Sequence, residues 1–433
     1  MLLIVSFDLQ ISMALARKAR GLHVYSQIVP YSIRKEELEA LKPKGIILSG
    51  YPDPKVSSNV SDVFDREIFD LGIPVAGVNC GLPDFTYPNY IMGSCEGDKE
   101  LSHFLFDTCG FPGNWTTENF IARSLREIKS EIGNNRAICG LSGGVDSSVA
   151  SVLVQKVIGN RLTCIFVDTG LLRKNEASDV KLIFGEGFKM NLRIVDAKAR
   201  FLQTLKGVTD PEEKRKRIGS EFIKVFEDEV IKLEGNTDFL VQGTLYSDVL
   251  ESTSGTGIGE TRVKSHHNVG GLPDNIRFKL IEPLRYLFKD EVREVGEKLG
   301  IPGHVLKRHP FPGPGLGVRI VGEVNQESLD IVREANAIVE EEIGNAGLYN
   351  ELWQAFAVLL NVRSVGVTSG MRTYERPIVI RAVNSSDGMT CNWAELPHSV
   401  LEKISSRITY EVQGVNRVVY DITSKPPGTI EWE

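Results

Sequence analysis

The chain of 433 residues carries 50 lysines and arginines against 57 aspartates and glutamates, a formal net charge of −7. That length is enough for two to four domains with their own cores, and the acidic balance argues against a nucleic-acid binder or a membrane-surface protein. No apolar run reaches membrane-spanning length, Met1–Asp8 lacks a basic leader, and the six cysteines (80, 95, 109, 139, 164 and 391) include no C-x-x-C pair, so a cytoplasmic protein with reduced thiols is expected.

Short apolar runs and amphipathic segments alternate over residues 1 to 80. Leu2–Val5, Val24–Val29, Gly45–Leu48 and Pro74–Val78 are expected as strands, and Ile11–Arg20, Arg34–Leu41 and Val60–Leu71 as helices. This is the grammar of a parallel sheet with crossovers. Pro83, Pro88, Pro112 and several glycines break the rhythm from 82 to 114, which reads as a linker or a degraded segment. A helix opens behind Thr116, a residue suited to capping, and runs through Ser130. Strands follow at Ala137–Leu141, Leu162–Val167, Asn191–Val195 and Phe239–Gln242, with a helix over Ser147–Ile158 and a charged one from Asp210-Pro211. The pattern predicts a doubly wound α/β sheet with its ligand at the C-terminal ends of the strands. Pro310, Pro312 and Pro314 forbid helix or central strand there. Beyond them, a helix over Gln326–Ile343 and β-type runs at Arg363–Val367, Ile378–Val383 and Val418–Ile422 predict a separate α+β domain.

The most informative stretch is Ser142-Gly143-Gly144-Val145-Asp146-Ser147-Ser148, between a strand and a helix. Adjacent glycines let the backbone approach a ligand and turn successive N–H groups into one concavity. The helix start adds unpaired N–H donors and the positive end of the helix dipole, and the hydroxyls of Ser142, Ser147 and Ser148 add more donors. Together they make a seat for a pyrophosphate. A ligand-free Ser/Gly turn is the plainer alternative, against which strand, turn, helix and hydroxyls all agree. The Gly-Lys-Ser/Thr ending of a Walker A loop is missing. The order S-G-G-x-D-S instead resembles the PP-loop of ATP pyrophosphatases, which cleave ATP between its α and β phosphates.

From about Phe104 to Glu433 the chain resembles the GMP synthase family. The resemblance rests on the PP-loop, Phe166–Arg173, Gly207–Pro211, Gln242–Asp248, Lys264–Gly271, His309–Leu316 and Thr423–Glu433. It implies three domains: a truncated flavodoxin-like glutaminase remnant with linker (1–100), a doubly wound parallel-sheet ATP pyrophosphatase domain (101–309), and a C-terminal α+β domain (310–433) that binds xanthosine monophosphate (XMP) and makes a homodimer. The implied reaction adenylates XMP with Mg-ATP, releasing pyrophosphate, after which ammonia displaces AMP to give GMP.

By the same resemblance, Ser142, Gly143, Gly144, Val145, Asp146, Ser147, Ser148 and Val167 bind ATP, and Asp146 approaches Mg²⁺. Asp248 and Glu251, three apart and so on one helical face, hold metal or guide ammonia, with solvated helix-end acids as the alternative. Lys264 lies in a Gly/Ser-rich stretch (252–271) with the composition of a lid and reaches phosphate on closure. His266 and His267 read as lid contacts, because no further His or Cys stands nearby at ligand spacing. Lys289 is placed near the triphosphate. Arg215, Gln354, Lys425, Thr429, Ile430 and Glu431 are implied for XMP. A lysine suits the 5′-phosphate, and a carboxylate accepts from purine N–H groups. In Ser369-Gly370-Met371-Arg372-Thr373-Tyr374, Gly370 replaces the family's aspartate, which puts one nucleotide or interface contact in doubt.

The family's N-terminal glutaminase needs a cysteine on a G-x-C-x-G elbow, oxyanion donors from a Gly-rich loop and a later His–Glu pair. Here the elbow reads Gly77-Val78-Asn79-Cys80-Gly81. Asn79 holds the nucleophile's position, and Cys80 falls one place late, a displacement that catalysis tolerates poorly. Ser49-Gly50-Tyr51-Pro52 stands for the oxyanion loop, with Tyr51 where a second glycine is expected. Only about twenty residues separate Leu82 from Leu101, so the half bearing the His and Glu is missing. The expectation is an ammonia-dependent synthetase that has lost its glutaminase. The alternatives are a nucleotide-binding pseudoenzyme, or a synthetase subunit fed by a separate glutaminase docked on the remnant, whose exposed sheet edge needs cover.

Overall fold

The computed structural model describes residues 1–50, 65–79, 90–91, 97–233, 237–254, 278–368, 370–385 and 388–433. The chain divides into two compact units, the first built on residues 1–123 and the second on 124–252 with the described residues of 278–433.

In the first unit, β1 (Leu2–Ser6), α1 (Leu9–Gly21), β2 (Ser26–Pro30), α2 (Lys35–Ala40), β3 (Gly45–Ser49), β4 (Val75–Val78) and β5 (Tyr90–Ile91) form a parallel sheet with crossovers. The strand order β2-β1-β3-β4-β5 is the flavodoxin-like one. Leu2, Leu3, Ile4 and Val5 are all fully buried, as a central strand covered on both faces requires. Asp8 starts α1, its carboxylate accepting from the N–H groups of Gln10 (2.8 Å) and Ile11 (3.1 Å). The helix expected up to Leu71 is a 3₁₀ turn at Arg66–Leu71, and residues 60–64 lie outside the described ones.

The stretch expected as a linker or degraded segment is helical in its second half. α3 (Asp98–His103) runs into a π-helical turn at Phe104–Thr108. Leu101, Phe104 and Leu105 are all buried there, so a short apolar motif overrides the composition of the surrounding stretch. α4 (Thr117–Ile132) begins where expected, with the Asn119 N–H donating to Thr116 Oγ1 at 3.3 Å.

The second unit holds β6 (Arg136–Gly140), α5 (Val145–Ile158), β7 (Leu162–Asp168), α6 (Glu176–Val180), β8 (Asn191–Asp196), α7 (Lys198–Leu205), α8 (Pro211–Ile231), β9 (Thr237–Val241), α9 (Tyr246–Ser254), β10 (Lys279–Ile281), α10 (Lys289–Leu299) and α11 (Gly303–Leu306). Its parallel sheet runs β10-β9-β6-β7-β8. The order reverses between β6 and β9, so their C-terminal ends flank a topological switch point, where open α/β sheets bind ligands. α5 is buried along most of its length, including Val149, Val152 and Leu153. Gly296 lets α10 close on it, since a Cβ there would stand 2.4 Å from Leu306 Cδ2 and 3.1 Å from Val149 Cγ2.

The same unit continues through α12 (Gln326–Asn345), β11 (Gln354–Leu359), β12 (Ser364–Thr368), β13 (Met371–Asn384), β14 (Asn392–Trp393), α13 (His398–Glu411) and β15 (Val415–Asp421). β13 is the hub, antiparallel to β11, β12 and β14 and parallel to β15. One apolar core runs from Ile138 and Ile165 of the parallel sheet through Leu316 and Val332 to Ile380 and Ile404. Among the described residues, no helix is long and apolar enough to cross a membrane.

Candidate active site

The loop after β6 has the conformation its glycines permit. Gly143 has φ +73°, and a Cβ there would meet Val180 Cγ2 at 3.0 Å. Gly144 is the extended N-cap of α5. The serines knit the loop together: Ser147 and Ser148 donate to the Gly144 carbonyl at 3.2 and 2.7 Å, and the Gly144 N–H donates to Ser142 Oγ at 3.3 Å. Ser148 is fully buried, so its hydroxyl shapes the loop from beneath. The turn after β9 presses on the start of α5. A Cβ on Gly243 would lie 2.8 Å from the Asp146 carbonyl carbon and 2.9 Å from the Ser147 nitrogen.

A cleft of about 650 Å³ opens over this loop. Its walls include Ser142, Gly144, Val145 and Asp146, then Phe166, Val167 and Thr169 leaving β7, and Arg215 on α8. Lys289, at the start of α10, reaches Asp146 and places Nζ 2.6 Å from both carboxylate oxygens. The two residues expected separately beside phosphate and metal therefore form one ion pair. A smaller cavity of about 220 Å³ adjoins the other flank of the loop. Asp248 lines it, and one Asp248 oxygen accepts the Leu245 N–H at 2.9 Å, closing the first turn of α9.

Arg308 was not singled out in the sequence, and it lies 165 residues from the loop it serves. It donates to the Gly143 carbonyl at 2.8 Å and to buried Glu176 at 2.5 Å, fixing the glycine turn from the cleft side. Arg293 lines the same cleft. His309 stacks on Tyr349 with ring centroids 3.9 Å apart. The Ala355 N–H donates to its Nδ1 at 3.2 Å, so the proton sits on Nε2, which donates to the Tyr349 carbonyl at 2.7 Å. Burial holds this imidazole below its ordinary pKa. Nothing in local spacing marks Arg293 or Arg308; His309 opens the proline-rich His309–Leu316 stretch that carries part of the resemblance.

The residues implied for XMP fall into two groups. Glu431 accepts from buried Arg319 in a bidentate pair (2.9 and 3.0 Å) and from Gln354 Nε2 at 2.6 Å. The Thr429 and Ile430 carbonyls accept from buried Arg381 at 3.0 and 3.4 Å. Arg215 donates to the backbone carbonyl of Glu433, whose side chain takes buried Lys214. Lys425 turns elsewhere, to the Gly388 carbonyl at 2.8 Å. In sequence, Arg319, Arg381 and Lys214 look like ordinary charged residues; only the fold reveals that they anchor the tail.

At the end of β4, Asn79 has φ +49°, the left-handed conformation of a strained elbow, which asparagine tolerates better than most residues. Cys80, Tyr51 and Pro52, like Lys264, His266, His267 and Ser369, lie outside the described residues. Glu251 belongs to α9, with its side chain outside the description. Among the described residues no group of three or more His, Cys, Asp or Glu is arranged to hold a metal.

The parallel sheet, its glycine-serine loop and the cleft above them define an ATP-using synthetase of the PP-loop class, and residues 117–222 match the family model for NAD synthase. Residues 341–432 match the GMP synthase C terminal domain, and residues 3–82 the glutamine amidotransferase class-I model. The chain is 47% identical over 512 residues to a GMP synthase [glutamine-hydrolyzing] of Geobacillus kaustophilus, covering 100% of this chain and 99% of the relative. It is 47% identical over 508 residues to the enzyme of the same name from Clostridium tetani, covering 99% of each. This chain belongs to the GMP synthase family. The Geobacillus alignment spans 512 positions against 433 residues here, so at least 79 positions of the relative have no counterpart (512 − 433). Among solved structures, an NMN synthetase from Francisella tularensis aligns at 15% identity with a TM-score of 0.35 over 47% of this chain and 78% of that one.

Proposed function

We propose that this chain makes GMP from XMP, ATP and free ammonia and has no glutaminase activity of its own. The observation that supports this best is the single cleft gathering the PP-loop, the Phe166–Thr169 wall, Lys289 and Arg215. The XMP O2 attacks the ATP α-phosphorus, the bond to the bridging oxygen breaks, and pyrophosphate leaves. Ammonia then attacks C2 of the adenylated XMP; the C2–O bond breaks, AMP leaves with the electron pair, and the nitrogen gives up a proton to solvent.

The chain's own residues serve charge and position. Loop N–H groups and the α5 dipole face the departing pyrophosphate, and Lys289, Arg293 and Arg308 add positive charge in the same cleft. Val167 and its neighbours supply a wall for the adenine. Glu431, fixed by Arg319 and Gln354, offers an acceptor to the purine, while Arg215 and Lys425 are the charges for the XMP phosphate. A bound Mg²⁺ would neutralise phosphate oxygens. Asp146 would hold it, and one carboxylate completed by substrate phosphates is a common magnesium arrangement that suits the donors present.

Asn79 at the elbow, an amidotransferase match that stops at residue 82, and the missing positions all support loss of glutamine hydrolysis. The exposed Val365, Val367, Met371 and Tyr374 on β12 and β13 support a homodimer. Purified protein with ATP, XMP and ammonium should release pyrophosphate only when XMP is present. Asp146→Asn and Lys289→Met should each lower kcat by about a hundredfold or more. Tight binding of ATP and XMP without AMP formation would instead favour a pseudoenzyme.

A further inference from the structure

Lys214 is a charged residue in a core position. The buried side chains of α8 are Lys214, Ile218, Glu221, Val225 and Phe226, so the lysine stands where the helix's inward stripe begins. Its neighbours Lys216 and Arg217 are exposed, whereas Lys214 is fully buried. The position is costly. The start of α8 is the positive end of the helix dipole, and burial pulls the ammonium below its ordinary pKa while Glu433 works against the shift. Compensation comes from distant segments. Lys214 Nζ donates to the Ile320 carbonyl at 2.6 Å and to one carboxylate oxygen of Glu433, and the other Glu433 oxygen accepts the Gly322 N–H at 3.3 Å.

The pair sits between two residues implied for XMP. Arg215, next in α8, lines the nucleotide cleft, and Glu431 stands two places before Glu433. Residues 319–322 are the seat of the tail: Arg319 donates to the Glu431 carboxylate in a bidentate pair, the Ile320 carbonyl accepts from Lys214, and the Gly322 N–H donates to Glu433. Both Glu433 oxygens are occupied, and neither Lys214 nor Glu433 lines the cleft, so the pair acts through its neighbours. A buried ion pair is weak evidence of stability, because well-packed apolar side chains of similar volume serve as well. What the charges add is a single register, since a slipped tail would leave each of them buried without its partner. We propose that Lys214 and Glu433 are positioning residues for XMP, their ion pair fixing the tail against α8 so that Glu431 and Arg215 meet the same nucleotide. The inference rests on the GMP synthase reading above and adds a role that the resemblance did not assign.

Lys214→Met combined with Glu433→Met tests it, because both charges go together and neither is left buried alone. The full-length double variant should keep a thermal midpoint close to the parent's. AMP formation with ammonium should be followed against each nucleotide in turn. The KM for XMP should rise about tenfold or more while the KM for ATP stays within about twofold and kcat changes little, the signature of lost binding shared by ground and transition states. Calorimetric titration with XMP should show the same loss. An unchanged XMP KM, or both KM values rising in the same proportion, would overturn the proposal, since a merely structural pair would not single out one nucleotide. If the double variant does not fold, Glu433→Gln decides, as it keeps the side chain's size and one acceptor for Lys214. A rise of about threefold or more in the XMP KM with the ATP KM unmoved supports the assignment, and no rise or an equal change in both contradicts it. A parent protein that forms no AMP from ATP, XMP and ammonium would instead overturn the GMP synthase reading itself.

Discussion

His309 shows how a single residue is bound into the wall of the nucleotide cleft. It stacks on Tyr349, receives the Ala355 N–H and is buried beside Arg173 and Arg319, so it stays neutral. Its folded pKa is depressed below the ordinary 6.5, so the unfolded chain takes up the proton first as pH falls. The stabilisation is therefore complete above about pH 6.5 and is lost as pH drops toward the depressed value, with a slope of at most ~1.4 kcal/mol per pH unit. Urea unfolding at pH 7.5 and pH 5 should show a larger loss in the parent than in His309→Asn; equal losses would refute the role. At this scale the serines and glycines of the PP-loop were legible, because a strand, a glycine pair and a helix start announce themselves within seven residues. Arg308 and Arg319 were not, since their partners Gly143 and Glu431 stand 165 and 112 residues away.

At the scale of elements, the contact between the β9–α9 turn and the start of α5 is the critical one. Gly243 has no room for a side chain, and the atoms it would strike are the backbone of Asp146 and Ser147, which cannot swing aside. Gly243→Ala should cost about 1–3 kcal/mol of stability, a usual range for overpacking. It should also raise the KM for ATP by displacing the loop. Thermal denaturation and ATP titration check both, and an unchanged ATP KM would contradict the contact. Apolar alternation made β1 to β4 and β6 to β9 readable to within a residue or two, and it missed the short edge strands β5 and β10. It failed at Asp98–Thr108, where neighbouring prolines and glycines hid a short helix whose cause is burial of Leu101, Phe104 and Leu105. Helical propensity in so short a segment is weak, and tertiary packing decides it.

For the whole molecule, the two units differ in what they retain. The second keeps one core from the ATP-side sheet to the C-terminal strands, with a tail pinned by Arg319, Arg381 and Lys214. The first keeps a flavodoxin-like strand order and the left-handed backbone of an elbow, with Asn79 where a nucleophile would stand. An amide side chain cannot form the covalent acyl intermediate, which is one ground for the proposal that this unit no longer hydrolyses glutamine. The most direct test supplies purified protein with ATP and XMP and compares ammonium with glutamine as nitrogen source, following GMP and AMP together. Equal amounts of both products with ammonium, and neither above background with glutamine, are the predicted result. GMP formed from glutamine by the pure protein, with glutamate released in step, would contradict it.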